Sequence, residues 1–573
     1  MSGYKQLREI SFHCVQVLGR SIQRYQNVSH SKNLHAAAVH QQLNLKPYHI
    51  LAFGSAIVLP CGWYLSLNSS DRRYVRVTLG GFRRFARTLV TGLTISFDYW
   101  FCLLGKKEGT KEYKEALHEC HQRGADRILA GCIANGGLYI KLGQSLVALN
   151  HLMPREYLET LEVLHDKALH RVKDELTELF KEDFDSSPEE MFEEFNRTPI
   201  AAASLAQVFR ARTKDGKDVA VKVQYIDLQQ RFYGDLNSIG ILTHFVSWMH
   251  PDFNFAWILD YMRSCLVKEL DFVNEAQNME RCAIDLKCLP FVYVPKVHWE
   301  KTSKRVLTME YIDGVKISDI SGILKLGLTL ADVDSKMVAA FAEQVFHTGF
   351  VHADPHPGNV FVQKDRNGKA RIVLLDHGLY EFIPKENRVS LSNLWRCIIM
   401  NNEEGMQKYS LDLGVSNYKV FCEILMQRPL QRSTLRIRNR LSSEEITYMR
   451  TMVQKHFDDV MECIRSLPRP MLLVFRNINT VRSITKNHGH PIDRFTLMAR
   501  VATRQLMSHV EGINISLRLQ YWWRWCSFEF KLRYEAWCLK LTLLYLRICM
   551  LFKASNKDVQ YFIELISGDV SPL

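Results

Sequence analysis

The 573-residue chain is 47% apolar and 24% charged, enough to fill a sizeable core and too apolar for wholesale disorder. Lys and Arg outnumber Asp and Glu by 74 to 61, and the resulting +13 points to an anionic partner such as nucleotide or acidic lipid. With no CxxC finger, aromatic ribonucleoprotein strand or basic low-complexity tail, no nucleic-acid partner is expected.

Residues 1–46 carry Lys5, Arg8, Arg20, Arg24, Lys32 and Lys46 against the single acid Glu9, the composition of a mitochondrial targeting segment. Residues 47–67 follow, and from Tyr48 to Leu67 twenty residues pass without Asp, Glu, Lys or Arg. That length suits a transmembrane helix, although Pro60 and Gly62 interrupt it. Together the two segments predict a mitochondrial, single-pass membrane protein. Residues 74–182 show apolar spacing of three and four with few breakers, which predicts helices. Cys120 beside His121 is the nearest thing to a metal pair here, and the 14 scattered cysteines read as reduced core thiols.

Over 190–312 the period changes. SLAQVFRART and KDVAVKVQY, separated by Lys214, Asp215 and Gly216, predict a β-hairpin. A helix is predicted over 256–286, then a strand pair in VYVPKVHWEKTSKRVLTMEYIDG. Residues 313–510 return to helices, with short strands around Val351, Val360 and Leu374. The last segment, 511–573, mixes aromatic, Leu and basic residues, a pattern for a helix lying on a membrane surface or packed against the domain.

Chemistry-bearing residues recur in a telling order. Lys222 ends VAVK, where alternation puts Ala220 and Lys222 on one face of a strand. KELDFVNEAQN offers Glu269, Asp271 and Glu275. Glu275 is the expected partner of Lys222 and Glu269 its rival, while in a regular helix Asp271 shares a face with Glu275 and Glu269 diverges from it. In HADPHPGN, Asp354 and Asn359 are five apart, the spacing of a kinase catalytic base and its Mg²⁺-binding Asn, and LLDHG places Asp376 where a second metal ligand would stand. Phosphoryl transfer needs this set: a cation on the phosphates, oxygen ligands for Mg²⁺ and a base for the acceptor.

The set departs from ordinary kinases in three places. Where a glycine-rich phosphate loop is expected stands Ala201, Ala202, Ala203, Ser204, Leu205, Ala206, Gln207 and Val208, whose Cβ atoms restrict the backbone. His356 occupies the position two after the base where Ser/Thr kinases carry Lys, and no A-P-E segment follows LLDHGLY. With KLGQ at 141–144, these features resemble the UbiB/ADCK (aarF-domain) family of atypical kinases over about residues 120–400. The resemblance implies an α+β, protein-kinase-like two-lobed fold with a helical extension carrying Lys141 and Gln144, and a helical C-terminal region. It implies that Lys141 contacts Glu269 and Asp271 over the substrate side. It implies ATP or ADP with Mg²⁺ as cofactors, an ATPase or small-molecule or lipid kinase activity, and a link to membrane lipid or quinone homeostasis.

Overall fold

The computed structural model describes residues 62–107, 109–148, 153–165, 175–202, 205–249, 263, 266–430, 443–508 and 515–552. The chain divides into two units, residues 1–73 and 74–573; in the first, residues 62–66 are helical and are followed by the start of α1 (Ser69–Leu103).

The second unit opens with helices α2 (Lys111–Asn135), α3 (Leu138–Ala148) and α4 (Arg155–Leu161). Thr110 starts α2 by accepting from the Tyr113 amide at 3.2 Å, which satisfies one of the amides a helix leaves open at its N-terminus. Asp98 on α1 ties it to α2 through Arg123 at 2.9 Å and through Arg127. Asp98, Cys102 and Cys120 lie together, but the two guanidinium groups already occupy the carboxylate, and His121 bonds Tyr99 at 2.5 Å. After α5 (Leu176–Phe184) and α6 (Pro188–Met191) comes a sheet of β1 (Glu194–Phe195), β2 (Ala201–Ala202), β3 (Ala206–Arg212), β4 (Asp218–Gln224) and β6 (Val306–Glu310). The predicted hairpin is β3–β4, turned by Gly216 at a φ of 77°. Alternation along β4 sends Val219, Val221 and Val223 against Phe180, Phe192 and Phe209, and sends Ala220 to the opposite face against Phe272 and Ala276.

Helix α7 (Leu228–Met249) leads on to α8 (Phe272–Asp285). The helix predicted over 256–286 is broken near Leu270, and residues 256–262 lie outside the described residues. The predicted strand pair also divides. Val297 bridges Met309 of β6, whereas β5 (Val292–Tyr293) runs parallel to β10 in another sheet. That sheet has the order β5, β10 (Ala370–Leu374), β9 (Val360–Lys364), β7 (Val315–Lys316); β8 (Phe350–His352) pairs with β11 (Tyr380–Phe382). Helices α9 (Ile320–Lys325), α10 (Leu330–Glu343), α11 (Lys385–Ile399), α12 (Glu403–Asp412), α13 (Tyr418–Met426), α14 (Ser443–Lys455), α15 (Phe457–Ser466), α16 (Arg469–Asn487) and α17 (Arg494–Ser508) surround these strands. One core runs through both lobes, from Ala220 and Phe272 to Trp395, Met471 and Phe495.

The last described helix, α18 (Ile515–Phe552), docks through buried Phe528 and through Glu529, which accepts from Arg500 at 3.0 Å, while Trp523, Phe530 and Trp537 stay exposed. Among the described residues no helix is long and apolar enough to cross a membrane, which overturns the single-pass expectation. In α18 the charges Arg518, Arg524, Glu529, Lys531, Arg533, Glu535, Lys540 and Arg547 recur too often. The predicted targeting segment and residues 47–61 of the predicted span lie outside the described residues.

Candidate functional site

Lys222 leaves the central strand β4 between Val208 of β3 and Leu307 of β6, so its backbone is fixed on both sides. Its Nζ donates to Glu275 of α8 at 2.8 and 3.0 Å and lies 3.6 Å from Asp376. Of the acids weighed against one another, Glu275 is the one that meets Lys222.

Glu269 enters the site by another route. Buried Gln224, two residues past Lys222, donates to the Leu270 carbonyl at 2.7 Å and holds the chain where the helix breaks. Asp271 then caps α8, accepting from the Val273 amide at 3.0 Å, so it neither shares a helical face with Glu275 nor meets Lys141. With the helix interrupted, Glu269 turns inward and accepts from Lys141 at 2.8 Å; Lys141 is also 3.9 Å from Asp354. Lys141 reaches this point because Arg231 of α7 clasps the carbonyls of Asn135 and Gly136 at 2.7 and 3.4 Å, just ahead of α3. The KxGQ glycine has a packing reason: a Cβ on Gly143 would stand 2.3 Å from Leu164. Gln144 points away from the acids and donates to the Leu164 carbonyl at 2.9 Å.

The Ala-rich run forms a tight reversal, with Ala201 paired to Val208 and Ala202 to Gln207; Ala203 and Ser204 lie outside the described residues. Leu205 at its end is buried with Leu138 and Leu142 of α3 and with Phe232 of α7. The strand reversal and the Lys141 helix thus share one apolar cluster.

Asp354 and Asn359 flank a short turn after β8, and the Asn359 side chain donates to the Asp354 carbonyl at 3.4 Å. The loop is braced from beneath. His352 accepts from the Asp354 amide at 3.0 Å, its carbonyl takes a 2.7 Å bond from Asn477, and its amide donates to Gln344 in a π-helical turn after α10. Asp376 follows β10 and accepts from the Gly378 amide at 3.0 Å, while buried His377 bonds the Leu374 carbonyl and Tyr380. Arg476 of α16 completes the cluster at 2.8 Å from Asp354. Sequence reasoning missed Arg476 and Asn477, because α16 lies more than a hundred residues beyond the loop and no spacing connects them, and it gave no role to His352, two residues before Asp354.

Three cations, Lys141, Lys222 and Arg476, therefore meet four carboxylates, Glu269, Glu275, Asp354 and Asp376. Burial opposes charge on Lys222, but Asp376 and Glu275 outweigh it and hold the ammonium above its ordinary range. Burial likewise opposes ionisation of Asp376, yet Lys222 and Lys141 hold it well below the carboxylate range; Asp354 is depressed in the same way by Arg476 and Lys141. Glu275 and Glu269 are pushed up by burial. His377 is pushed down to about 3 by burial and by the neighbouring His352, so it sits neutral beneath the site. Asp376 is the most open of the acids, with a side chain 40% exposed, and its oxygen donors with Asn359 suit a hard divalent ion better than a thiophilic one.

A two-lobed α+β architecture with a strand lysine, a helix glutamate and two loop carboxylates in this order defines a protein-kinase-like fold. Residues 163–410 match the ABC1 atypical kinase-like domain. The chain is 35% identical over 469 residues to AarF domain-containing protein kinase 1 of Mus musculus, covering 81% of this chain and 89% of the relative. It is 42% identical to the Dictyostelium discoideum "Probable serine/threonine-protein kinase abkD", over 76% of this chain but only 63% of that protein's length. Among solved structures, a Mycobacterium tuberculosis protein in complex with erythromycin aligns at TM-score 0.41 and 21% identity, covering 65% of this chain and 94% of that one. The Rio2 kinase of Chaetomium thermophilum aligns at TM-score 0.24 and 12% identity, covering 61% and 86%. The chain belongs to the ABC1 (AarF-domain, UbiB) family of atypical kinases.

Proposed function

We propose that the chain binds a magnesium nucleotide, ATP or ADP, in this cluster and acts as an ATPase or as a kinase of a small molecule or lipid. One observation carries the reading: the Lys222 ammonium sits between Glu275 at 2.8 Å and Asp376 at 3.6 Å. In this reading Lys222 takes the α and β phosphates, Asp354 orients the acceptor, and Asn359 and Asp376 are the Mg²⁺ ligands. Bound Mg²⁺ would neutralise charge on the phosphates. The excess of one carboxylate over the cations leaves room for that charge. Lys141, at 2.8 Å from Glu269 and 3.9 Å from Asp354, stands where an acceptor would approach and disfavours a bulky peptide. Quinone precursors and lipids are the acceptor classes that family resemblance suggests.

The same Lys141 contacts favour a second reading, a nucleotide-binding scaffold that turns over little. Replacing Asp354 by Asn separates the two. In the enzyme reading ATP turnover falls roughly 10²–10³-fold while nucleotide binding, read by thermal shift, persists. Turnover unchanged in Asp354→Asn would sink the enzyme reading. Phosphate transfer to a purified protein would instead favour a protein kinase.

Ala202 pairs with Gln207, so Ala202→Gly relaxes the reversal without removing a side-chain contact to nucleotide. The expected result is a changed ratio of ADP to ATP affinity in titration calorimetry, with a stability loss of about 0.5–1 kcal/mol. Unaltered binding of both nucleotides would leave the Ala-rich run without a role in closure.

A further inference from the structure

Away from this site, three arginines gather where α13, α16 and α17 meet. Gln427, the residue after α13, donates to Asn479 of α16 and so brings its neighbour Arg428 beside α16. Arg482 lies three residues beyond Asn479, on the same side of that helix. Arg494 opens α17, and its guanidinium carbon lies 4.1 Å from the centre of the Phe495 ring, with that of Arg428 at 5.8 Å from the same ring.

Neutralising carboxylates are scarce. Glu445 meets Arg428 at 3.3 Å. Asp493 caps α17, accepting from the Thr496 amide at 3.1 Å and its hydroxyl at 2.7 Å. Neither Arg482 nor Arg494 makes an ion pair with a described residue. Arg494 is only 4% exposed, and its Nε is buried without a hydrogen-bond partner. Burial, reinforced by Arg482 and Arg428, pushes Arg494 down to about 9, far from the ordinary range of a guanidinium. Its position at the start of a fifteen-residue helix is unfavourable for a cation, because the helix dipole is positive there. Residues 431–442, the chain between α13 and α14, contain Arg432, Arg436, Arg438 and Arg440 and no acid, so that segment brings no carboxylate.

Buried charge without a partner is expensive, and a buried donor left unbonded adds to the cost. An oxyanion seated among the guanidinium groups removes both, and planar guanidinium forks suit phosphate oxygens. We propose that Arg428, Arg482 and Arg494 form an anion site, separate from the nucleotide cluster, for the phosphate group of a small molecule.

The test is thermal unfolding of the full chain, without nucleotide or Mg²⁺, in chloride and in inorganic phosphate at matched ionic strength, with glycerol phosphate as a second probe to distinguish free from esterified phosphate. Wild type should gain several degrees in at least one probe, and Arg482→Gln should lose that gain. In chloride Arg482→Gln should be at least as stable as wild type, since it relieves repulsion; a purely structural arginine would give the opposite sign. Lys222→Met/Glu275→Gln should keep the phosphate gain, which rules out phosphate seated in the nucleotide cluster. Titration calorimetry with the effective probe should show at least a tenfold loss of affinity in Arg482→Gln. Arg494→Gln should behave alike, and if it does not fold, the partly exposed Arg482 still decides the matter. No phosphate gain in wild type, an equal gain in Arg482→Gln, or a gain lost only in the Lys222 variant overturns the site.

Discussion

Lys222→Met should lower ATP turnover roughly 10²–10³-fold, the loss typical of removing one preorganised charge from a transition state. It should also cost about 3–5 kcal/mol of stability, because Glu275 is only 1% exposed and loses the cation that compensates it. The pH dependence separates the two effects. In the variant Glu275 faces burial with less opposition, so its folded pKa rises further above its unfolded value. A group raised in this way favours the folded state when protonated. The stability gap to wild type should therefore narrow as pH falls toward the ordinary glutamate range and widen as pH rises above it. Unfolding midpoints measured across that range check the sign. Adding Glu275→Gln should recover most of the stability, remove its pH dependence and leave turnover low. If the double variant regained turnover, Lys222 would have no role in the reaction.

The residues around this pair differ in how readable they were. VAVK, HADPHPGN and LLDHG were legible because each combines a strand or turn with one or two chemistry-bearing side chains, and strand alternation alone put Ala220 and Lys222 on a common face. Glu269 and Asp271 were less so. A regular helix was assumed through them, whereas buried Gln224 grips the Leu270 carbonyl at 2.7 Å and ends the helical repeat, which exchanges the directions of the two acids. That bond joins residues 46 apart in sequence, and no local pattern encodes it. The apolar run at 48–67 was over-read for a related reason. Hydropathy registers the length of a stretch, but the described helical residues at its end stop at Ser66, and among the described residues no helix is long and apolar enough to cross a membrane. The clamp by α16 was invisible, since Arg476 in VFRNINT looks like any polar position on an amphipathic helix.

Arg476→Gln should lower turnover by roughly 10²-fold, the scale associated with about 1 Å of misplacement, while leaving the nucleotide KM nearly unchanged. Arg476 touches Asp354 at 2.8 Å, whereas Lys222 and Asp376 are held by other elements. The pH profile supplies the sharper test. Burial raises the Asp354 carboxyl and Arg476 is the largest influence bringing it down, so removing the guanidinium returns its pKa toward the ordinary value. Ionised Asp354 then requires a higher pH, and the acid limb of the rate profile should move upward. Stability follows the same sign. A depressed folded pKa contributes stability above the unfolded aspartate value of about 3.9, and that contribution fades as pH falls through the folded pKa. The variant should thus be weaker than wild type above that value, and the difference should shrink in acid. Lys at this position keeps the charge but loses the planar fork, and should shift the limb less than Gln does. In Asp354→Asn the Arg476→Gln change should add little, since the arginine acts through that carboxylate. An acid limb that stays in place in Arg476→Gln would mean that Arg476 braces α16 against the loop without setting the charge on Asp354.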